Sequence, residues 1–160
     1  MKQVFESENI RFVEVSEQLI EEYLLMVNDY ENVNRFLGGQ SETYTPEQER
    51  NWVKEKLAEN APVFSMISKK NGEFIGNIEF FDLKEKEAEL GIALTAKMQD
   101  RGYGTEAIRA FTEYGTDHLG LTRIRLRANT ENGRAIHVYE KCGFREYARN
   151  DEEVSMELFI

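Results

Sequence analysis

Apolar residues recur near the start of the chain in spacings that predict one strand followed by two helices. The strand is predicted at residues 10–15. Helical spacing follows in "SEQLIEEYLLMVND", whose apolar face carries Leu19, Tyr23 and Val27. A shorter helix is predicted at residues 31–37, with Gly38 and Gly39 as its stop.

The segment "TYTPEQERNWVKEKL" carries a strong signal for the start of a third helix. Thr45 is suited to cap the helix, because its hydroxyl can accept a hydrogen bond from a free backbone N–H. Pro46 follows at the first helical position, and Gln48 stands where a capping box needs its second member.

Three strand-like runs come next, separated by short polar breaks: "PVFSMISKK", "EFIGNIEFFDL" and "EAELGIALT". Short breaks of this kind, such as Asn71 and Gly72, predict an antiparallel meander. A fourth helix is then indicated by an apolar face with a glycine stop at Gly120; that face carries Ile108, Phe111, Gly115 and Leu119.

The last third of the chain predicts a strand, a short helix and two further strands. In "RIRLRAN", apolar residues alternate with a stripe of arginines that we expect to be solvated, namely Arg123, Arg125 and Arg127. The helix is predicted at residues 132–142, closed by Gly143, with Phe144 placed for the apolar contact that accompanies such a cap. The strands are "FREYARN" and "EVSMELF". This order predicts an α+β fold with a mostly antiparallel sheet.

Composition limits the possible classes of protein. A length of 160 residues, 41% of them hydrophobic, fits one folded domain at residues 1–160. The net charge of −10 opposes the phosphate attraction on which nucleic-acid binding relies. No apolar run reaches the roughly 20 residues of a membrane helix, and the start is too polar for a secretory signal, so we expect a cytoplasmic protein with no membrane partner. One cysteine and two histidines offer no metal-ligand spacing.

The segment "MQDRGYGTEAIRAF" suggests a binding site for phosphate. Gly102 and Gly104 suit a tight turn, because glycine adopts positive φ without steric cost. A helix that starts there presents free N–H groups and the positive end of its dipole to an anion. A Rossmann site is disfavoured, because the loop follows three strands and the next strand ends in Ala128 and Asn129 rather than an acidic residue. A Walker loop is excluded, because no Gly-Lys-Ser/Thr follows.

Two motifs resemble those of one enzyme superfamily. Residues 99–104, "QDRGYG", resemble the Q/R-x-x-G-x-G/A loop of the GNAT N-acetyltransferases, and "ENGRAIHVYEKCGF" resembles their N-x-x-A-x-x-x-Y-x-K-x-G-F segment. The order of the motifs matches, as does the helix and strand between them, and "AELGIAL" looks like the family's fourth strand. The general look is of the RimJ/RimL-like branch. The resemblance implies a mixed, mostly antiparallel sheet that splays between the family's fourth and fifth strands and is flanked by helices.

The resemblance also implies a site for acetyl-CoA as co-substrate. The diphosphate would lie on backbone N–H groups of residues 101–105, and the pantetheine arm would pair with the end of the fourth strand. An N–H near Ala93 or Leu94 would face the thioester oxygen. The residues expected to contact the cofactor are Ile92, Ala93, Leu94, Gln99, Asp100, Arg101, Gly102, Tyr103, Gly104, Thr105, Asn132, Ala135 and Tyr139. Asn132 is equally suited to cap its helix.

Tyr139 matches the family's general-acid tyrosine, since a phenol can protonate the thiolate that leaves. An alkylammonium acceptor also needs a base, and Glu79 and Glu89 are the strand carboxylates that could act directly or through water. Neither is fixed by the family, and each could be an ordinary solvated charge. Cys142 lacks a paired base, shares a helical face with Tyr139 and is expected to pack near the cofactor, while His118 and His137 are expected near the surface.

These residues together predict an acetyl-CoA-dependent N-acetyltransferase that works by direct attack of a primary amine on the thioester. The acceptor is a small-molecule amine, such as a polyamine, an amino acid or an antibiotic, or a protein N-terminus. A catalytically silent acyl-CoA-binding or sensing module is the alternative. Exposed terminal strands are compatible with a homodimer.

Overall fold

The computed structural model describes residues 1–38, 40 and 42–160, so the predicted stop at Gly39 lies outside the described residues. Within them the strands are β1 (Gln3–Glu6), β2 (Ile10–Glu14), β3 (Val63–Ser68), β4 (Phe74–Lys84), β5 (Glu87–Leu94), β6 (Arg123–Asn129), β7 (Arg145–Arg149) and β8 (Glu153–Phe159). The helices are α1 (Ile20–Val27), α2 (Arg35–Leu37), α3 (Pro46–Ala58), α4 (Tyr103–Leu119) and α5 (Gly133–Lys141). None of the described helices is long and apolar enough to cross a membrane.

All eight strands belong to one sheet, in the order β1-β2-β3-β4-β5-β6-β8-β7. The ladders β1/β2, β2/β3, β3/β4, β6/β8 and β7/β8 are antiparallel, and β5/β6 is parallel. The prediction of an α+β fold with a mixed, mostly antiparallel sheet flanked by helices is therefore confirmed.

Strands β5 and β6 pair over only part of their length. Among the described residues, their ladder joins Glu87–Glu89 to Arg123–Arg125, whereas β5 continues to Leu94 and β6 to Asn129. These two strands carry "AELGIAL" and "RIRLRAN", the fourth and fifth in the family's numbering. The splay between these strands stays a prediction of the resemblance.

Local sequence signals predicted several element boundaries correctly. Helix α3 begins at Pro46, and Thr45 and Gln48 form the complete capping box. Strand β1 was missed, because Gln3–Glu6 is short and largely exposed and offers little apolar alternation. Phe5 of β1 stacks on Phe12 of the neighbouring strand β2, with 4.1 Å between the ring centroids. The short helix predicted at residues 31–37 is a π-helical turn at Tyr30–Asn34 followed by α2, and the predicted first helix opens with a 3-10 turn at Glu17–Leu19. The 3-10 turn at Ala96–Met98 was missed.

The chain divides into two compact units, and the first comprises Met1–Glu79 and Ile92–Tyr103. Its core gathers apolar side chains of β2, β3 and helices α1 and α3. Tyr23 of α1 is fully buried there, with Trp52 of α3 at 5.7 Å and Phe74 of β4 at 5.5 Å between ring centroids.

The second unit comprises Phe80–Gly91 and Gly104–Ile160. Phe80 of β4 stacks on Phe111 of α4 with centroids 4.0 Å apart. Gly115 makes room for that ring, since a Cβ at Gly115 would lie 2.8 Å from Phe80 Cε2. In this unit, Ile124, Leu126 and Val154 are fully or almost fully buried on β6 and β8.

Candidate active site

The segment between β5 and α4 has a left-handed backbone at two positions. Asp100 has a φ of 61° and Gly102 a φ of 86°. A Cβ on Gly102 would meet nothing within 4 Å, so backbone conformation, not crowding, favours glycine there. Gly104 was also predicted to belong to the turn, but it lies in the first turn of α4 and does not have a positive φ. The turn is therefore made by residues 100–102, before the helix begins.

Helix α4 begins at Tyr103, directly after this turn. The first four N–H groups of an α-helix have no acceptor within the helix, and they lie at the positive end of its dipole. This geometry suits an anion such as a diphosphate. The open space at Gly102 leaves the turn accessible, so the residues fit the phosphate group that the sequence predicted.

Two side chains fix the segment within the first unit. The Tyr103 hydroxyl lies 3.2 Å from the hydroxyl of Ser68 on β3. The Gln99 side-chain amide donates to the carbonyl oxygen of Leu94 at 3.0 Å and to that of Asn32 at 3.1 Å. Gln99 therefore joins the end of β5 to the π-helical turn before α2, a contact that its motif position did not indicate.

The end of β5 is held closely against β4. A Cβ on Gly76 would lie 1.9 Å from the carbonyl oxygen of Ala93, and the Thr95 N–H donates to the Ile75 carbonyl at 2.9 Å. Backbone groups of successive strand residues point to opposite edges. The N–H of Leu94 therefore points away from β4, whereas that of Ala93 points toward it. Of the two predicted oxyanion donors, the Leu94 N–H is therefore the one directed away from β4.

Tyr139 lies in α5, whose two ends are capped by nearby residues. The Asn132 side chain accepts from the Ala135 N–H at 3.4 Å, so Asn132 is the N-cap. At the other end Gly143 has a φ of 96°, and the Phe144 N–H donates to the Tyr139 carbonyl at 3.0 Å. Phe144 is buried with its ring 6.2 Å from that of Tyr139, as the predicted cap requires.

Burial raises the pKa of Tyr139 to about 12, and Cys142 adds to the shift. The phenol therefore keeps its proton throughout the neutral range and can serve as a donor. Cys142 is half-buried, with its Sγ 3.8 Å from the Thr105 carbonyl oxygen, and burial raises the pKa of its thiol. A protonated thiol is a poor nucleophile. His118 and His137 are exposed, as expected.

Glu89 is a partner in ion pairs. It is 7% exposed and accepts a 2.9 Å hydrogen bond from Arg127 Nε, with an Arg125 guanidinium nitrogen at 3.9 Å. These contacts raise the pKa of Arg127. Proton uptake by Glu89 would weaken both pairs, so its position suits a structural carboxylate better than a general base.

The arginine stripe is therefore paired rather than simply solvated. Arg123 contacts Glu87 at 3.4 Å and Glu157 at 3.3 Å, and Arg125 and Arg127 share Glu89. The expectation of a solvated stripe failed because the partner carboxylates come from β5 and β8, which are distant in sequence.

Glu79, near the middle of β4, has no hydrogen-bond or ion-pair partner among the described residues. Burial raises the pKa of its carboxyl, and the charge of Lys56 on α3 opposes that shift. A half-buried carboxylate with a raised pKa is better matched to proton transfer near neutral pH than an ordinary one.

Sequence reasoning did not single out three polar side chains of the first unit that are linked by hydrogen bonds. Tyr23 and Ser65 have oxygens 2.6 Å apart, and the Ser65 hydroxyl donates to Asn77 Oδ1 at 2.7 Å. The available signal was polar residues in otherwise apolar strand runs, Ser65 in "VFSMIS" and Asn77 in "FIGNIEF".

The predicted cofactor residues fall in both units. Ile92, Ala93 and Leu94 end β5 in the first unit, which also contains residues 99–103. Gly104, Thr105, Asn132, Ala135 and Tyr139 belong to the second.

Comparison with known proteins points to one family. The family model described as "Acetyltransferase (GNAT) domain" matches residues 9–145. "Uncharacterized N-acetyltransferase YnaD" of Bacillus subtilis is 31% identical over 64% of this chain and 61% of its own length. A spermidine N(1)-acetyltransferase of Vibrio cholerae is 29% identical over 61% of this chain and 57% of its own length. Each alignment thus spans less than two thirds of the relative.

Solved structures share the fold. A GNAT-family acetyltransferase from Bacillus anthracis superposes with a TM-score of 0.84 at 21% identity, covering 96% of both chains. The spermidine N-acetyltransferase of Vibrio cholerae, in complex with CoA and spermine, gives 0.85 at 18% identity, again over 96% of both chains.

Proposed function

The chain belongs to the acetyltransferase (GNAT) domain family, and on that premise we propose that it is an N-acetyltransferase that moves an acetyl group from acetyl-CoA to a primary amine. The family match over residues 9–145 carries the proposal. The left-handed turn that opens α4 supports it, because such a turn suits the diphosphate of CoA.

The residues that would hold acetyl-CoA follow the predicted set. Backbone N–H groups of residues 101–105 would bind the diphosphate, and Ile92–Leu94 would lie along the pantetheine arm. Asn132 and Ala135, at the start of α5, would contact the same molecule; the capping role of Asn132 leaves its Nδ2 group as a donor.

Three groups of this chain would carry the reaction. Bound acetyl-CoA supplies a thioester whose carbonyl carbon takes the amine and whose sulfur leaves as thiolate. The Leu94 N–H would donate to the carbonyl oxygen as charge develops on it. The Glu79 carboxylate, directly or through water, would take the first proton that the ammonium group loses, and the Tyr139 hydroxyl would protonate the departing sulfur. The second proton, which the nitrogen loses as the amide forms, would return to the Tyr139 oxygen directly or through water. The products are an N-acetylated amine and free CoA thiol.

Glu79 is preferred to Glu89 as the base. The Glu79 carboxylate has a raised pKa and no ion pair among the described residues, whereas Glu89 is engaged by Arg125 and Arg127. Glu89 would then stabilise the sheet without exchanging protons.

Two acceptor classes are candidates, one suggested by the relatives and one by the sequence. Those named spermidine acetyltransferases favour a polyamine, and the RimJ/RimL-like look of the sequence favours a protein N-terminus. Both are primary amines, so the chemistry above serves either one.

A thiol-release assay tests the proposal. Purified full-length protein is given acetyl-CoA with N-terminal peptides, polyamines, amino acids or aminoglycosides, and free thiol and acetylated product are both quantified. We expect acceptor-dependent thiol release. Tight binding of acetyl-CoA without product for any acceptor would instead favour the silent binding module.

A further inference from the structure

A chain of polar groups leads from the start of α1 to the middle of β4 within the first unit. The Ser16 N–H donates to the Tyr23 hydroxyl oxygen at 3.1 Å. That hydroxyl lies 2.6 Å from Ser65 Oγ, which donates to Asn77 Oδ1 at 2.7 Å. Tyr23 and Ser65 are both fully buried, so neither can exchange these partners for water.

Only one assignment of donors and acceptors gives every hydroxyl in this series of hydrogen bonds an acceptor. Ser65 has a single hydroxyl hydrogen, and donating it to Asn77 requires Tyr23 to donate to Ser65. If Asn77 were rotated to donate instead, Ser65 would donate to Tyr23. The buried Tyr23 O–H would then have no acceptor among the described residues. An unsatisfied buried hydroxyl costs roughly 1–3 kcal/mol, so the first arrangement is favoured.

This arrangement fixes which end of the Asn77 amide faces Ser65 and which end points away from it. Its Oδ1 faces Ser65, and its Nδ2 group has no hydrogen-bond partner among the described residues. Glu79 follows two residues later, so both side chains lie on one face of β4, about 6.6 Å apart along the strand. A fixed donor and a carboxylate therefore stand side by side.

We propose that Asn77 determines acceptor specificity. Its Nδ2 group donates a hydrogen bond to an acceptor oxygen that lies a few bonds from the reacting nitrogen, while Glu79 takes the proton that this nitrogen loses. This inference rests on the proposed N-acetyltransferase function. The acceptor is then an α-amino carbonyl compound, such as a peptide N-terminus or an amino-acid amide. A polyamine carries only donors at neutral pH and cannot accept this hydrogen bond. Tyr23 and Ser65 are positioning residues that act through Asn77.

The test compares acceptors that differ in the oxygen. Glycinamide and n-propylamine have nearly the same size, but only glycinamide has a carbonyl; spermidine represents the polyamines. Values of kcat and KM are measured for each with the wild-type protein and with Asn77→Asp. Aspartate keeps an acceptor for Ser65 but has no N–H to offer. Asn60→Asp, at an exposed position of the same unit, controls for the added charge.

We expect Asn77→Asp to lower kcat/KM for glycinamide about tenfold or more, mainly through KM, and to leave n-propylamine and spermidine unchanged or improved. Ser65→Ala frees the amide to rotate, so it should raise KM for glycinamide with little change in kcat. If the thermal melt shows that Asn77→Asp fails to fold, Ser65→Ala tests the inference in its place.

Each other result is decisive. An equal loss for all three acceptors, or no loss for glycinamide, overturns the inference and leaves the proposed function intact. Acetylation of spermidine but not of glycinamide by the wild-type protein also overturns the inference and leaves the proposed function intact. Absence of acetylation of every acceptor overturns the proposed function, and the inference with it.

Discussion

Two glutamates that look alike in the sequence have opposite surroundings in the structure. Glu79 and Glu89 both lie in strand runs and both qualified as bases. Burial raises the pKa of Glu79, which has no ion pair among the described residues, whereas Arg125 and Arg127 engage Glu89. Burial and pairing are therefore what distinguish a group suited to proton transfer from one suited to support.

Glu79→Gln should raise thermal stability and lower activity. Because the pKa of Glu79 is raised in the folded state, its stabilising contribution is present below the ordinary value of 4.5 and is lost as pH rises through the folded pKa. A neutral amide avoids that loss, so the melting temperature should rise at neutral pH and hardly change near pH 4. Removal of a general base should lower kcat by about 10²–10⁴.

Glu89→Gln is the matched control. It leaves two guanidinium groups without their carboxylate, so we expect a loss of roughly 1–3 kcal/mol of stability at neutral pH with little change in kcat. Identical behaviour of the two variants would contradict the distinction between them.

Tyr139→Phe should remove the proton donor while keeping the ring. The Phe144 contact survives, so melting should change little, whereas kcat should fall by about 10²–10⁴. Since the pKa of Tyr139 is about 12, the wild-type rate should show no decline from this group up to about pH 10. Tyr147→Phe, at an exposed position of β7, is the control, and full turnover in Tyr139→Phe would exclude the role.

At the scale of elements, the sequence predicted best where the signal is local. The capping box of α3 and the glycine stop of α5 involve residues within a few positions of one another, and both are confirmed. The left-handed turn was correctly placed at Gly102, but its second member is Asp100 rather than Gly104. Aspartate tolerates that conformation, so no glycine marks it.

The parts that escaped prediction depend on contacts between distant residues. Strand β1 is held by its ladder with β2, and the Gln99 side chain bonds to Asn32 far back in the chain. The Tyr23–Ser65–Asn77 chain joins three elements. No spacing along a single sequence reveals such pairs.

Gly76→Ala should weaken the pairing of β4 with the end of β5. The added methyl would meet the backbone oxygen of Ala93 at 1.9 Å, and backbone cannot move aside as a flexible side chain can. We expect a loss of about 1–3 kcal/mol or more, seen as a lower melting temperature. Gly133→Ala, whose Cβ would meet nothing within 4 Å, should leave the melt nearly unchanged. Equal melts for the two variants would contradict the close approach.

At the scale of the whole molecule, the acidic chain is expected to bind one anionic partner selectively. The net charge of −10 offers no general attraction for phosphate, so binding of CoA should depend on the specific turn before α4. Residence in the cytoplasm and a homodimer stay predictions at this scale.

Acetyl-CoA should therefore raise the melting temperature, and NAD should not. A ligand at 100 times its dissociation constant adds about 2.7 kcal/mol, and each kcal/mol corresponds to about 2–4 °C in a protein of this size. Differential scanning fluorimetry with both ligands, and with Gly102→Val as a turn-disrupting control, measures the effect. Equal shifts by NAD would favour a dinucleotide site instead.

The division into two units has a consequence for inheritance. The chain passes from one unit to the other after Glu79, Gly91 and Tyr103, so each unit is assembled from two separate stretches. A gene break at any single point cannot deliver either unit whole. Exchange of one unit between relatives by recombination would need three coordinated crossovers, one at each point where the chain changes unit, so we expect the two units to be inherited as a pair.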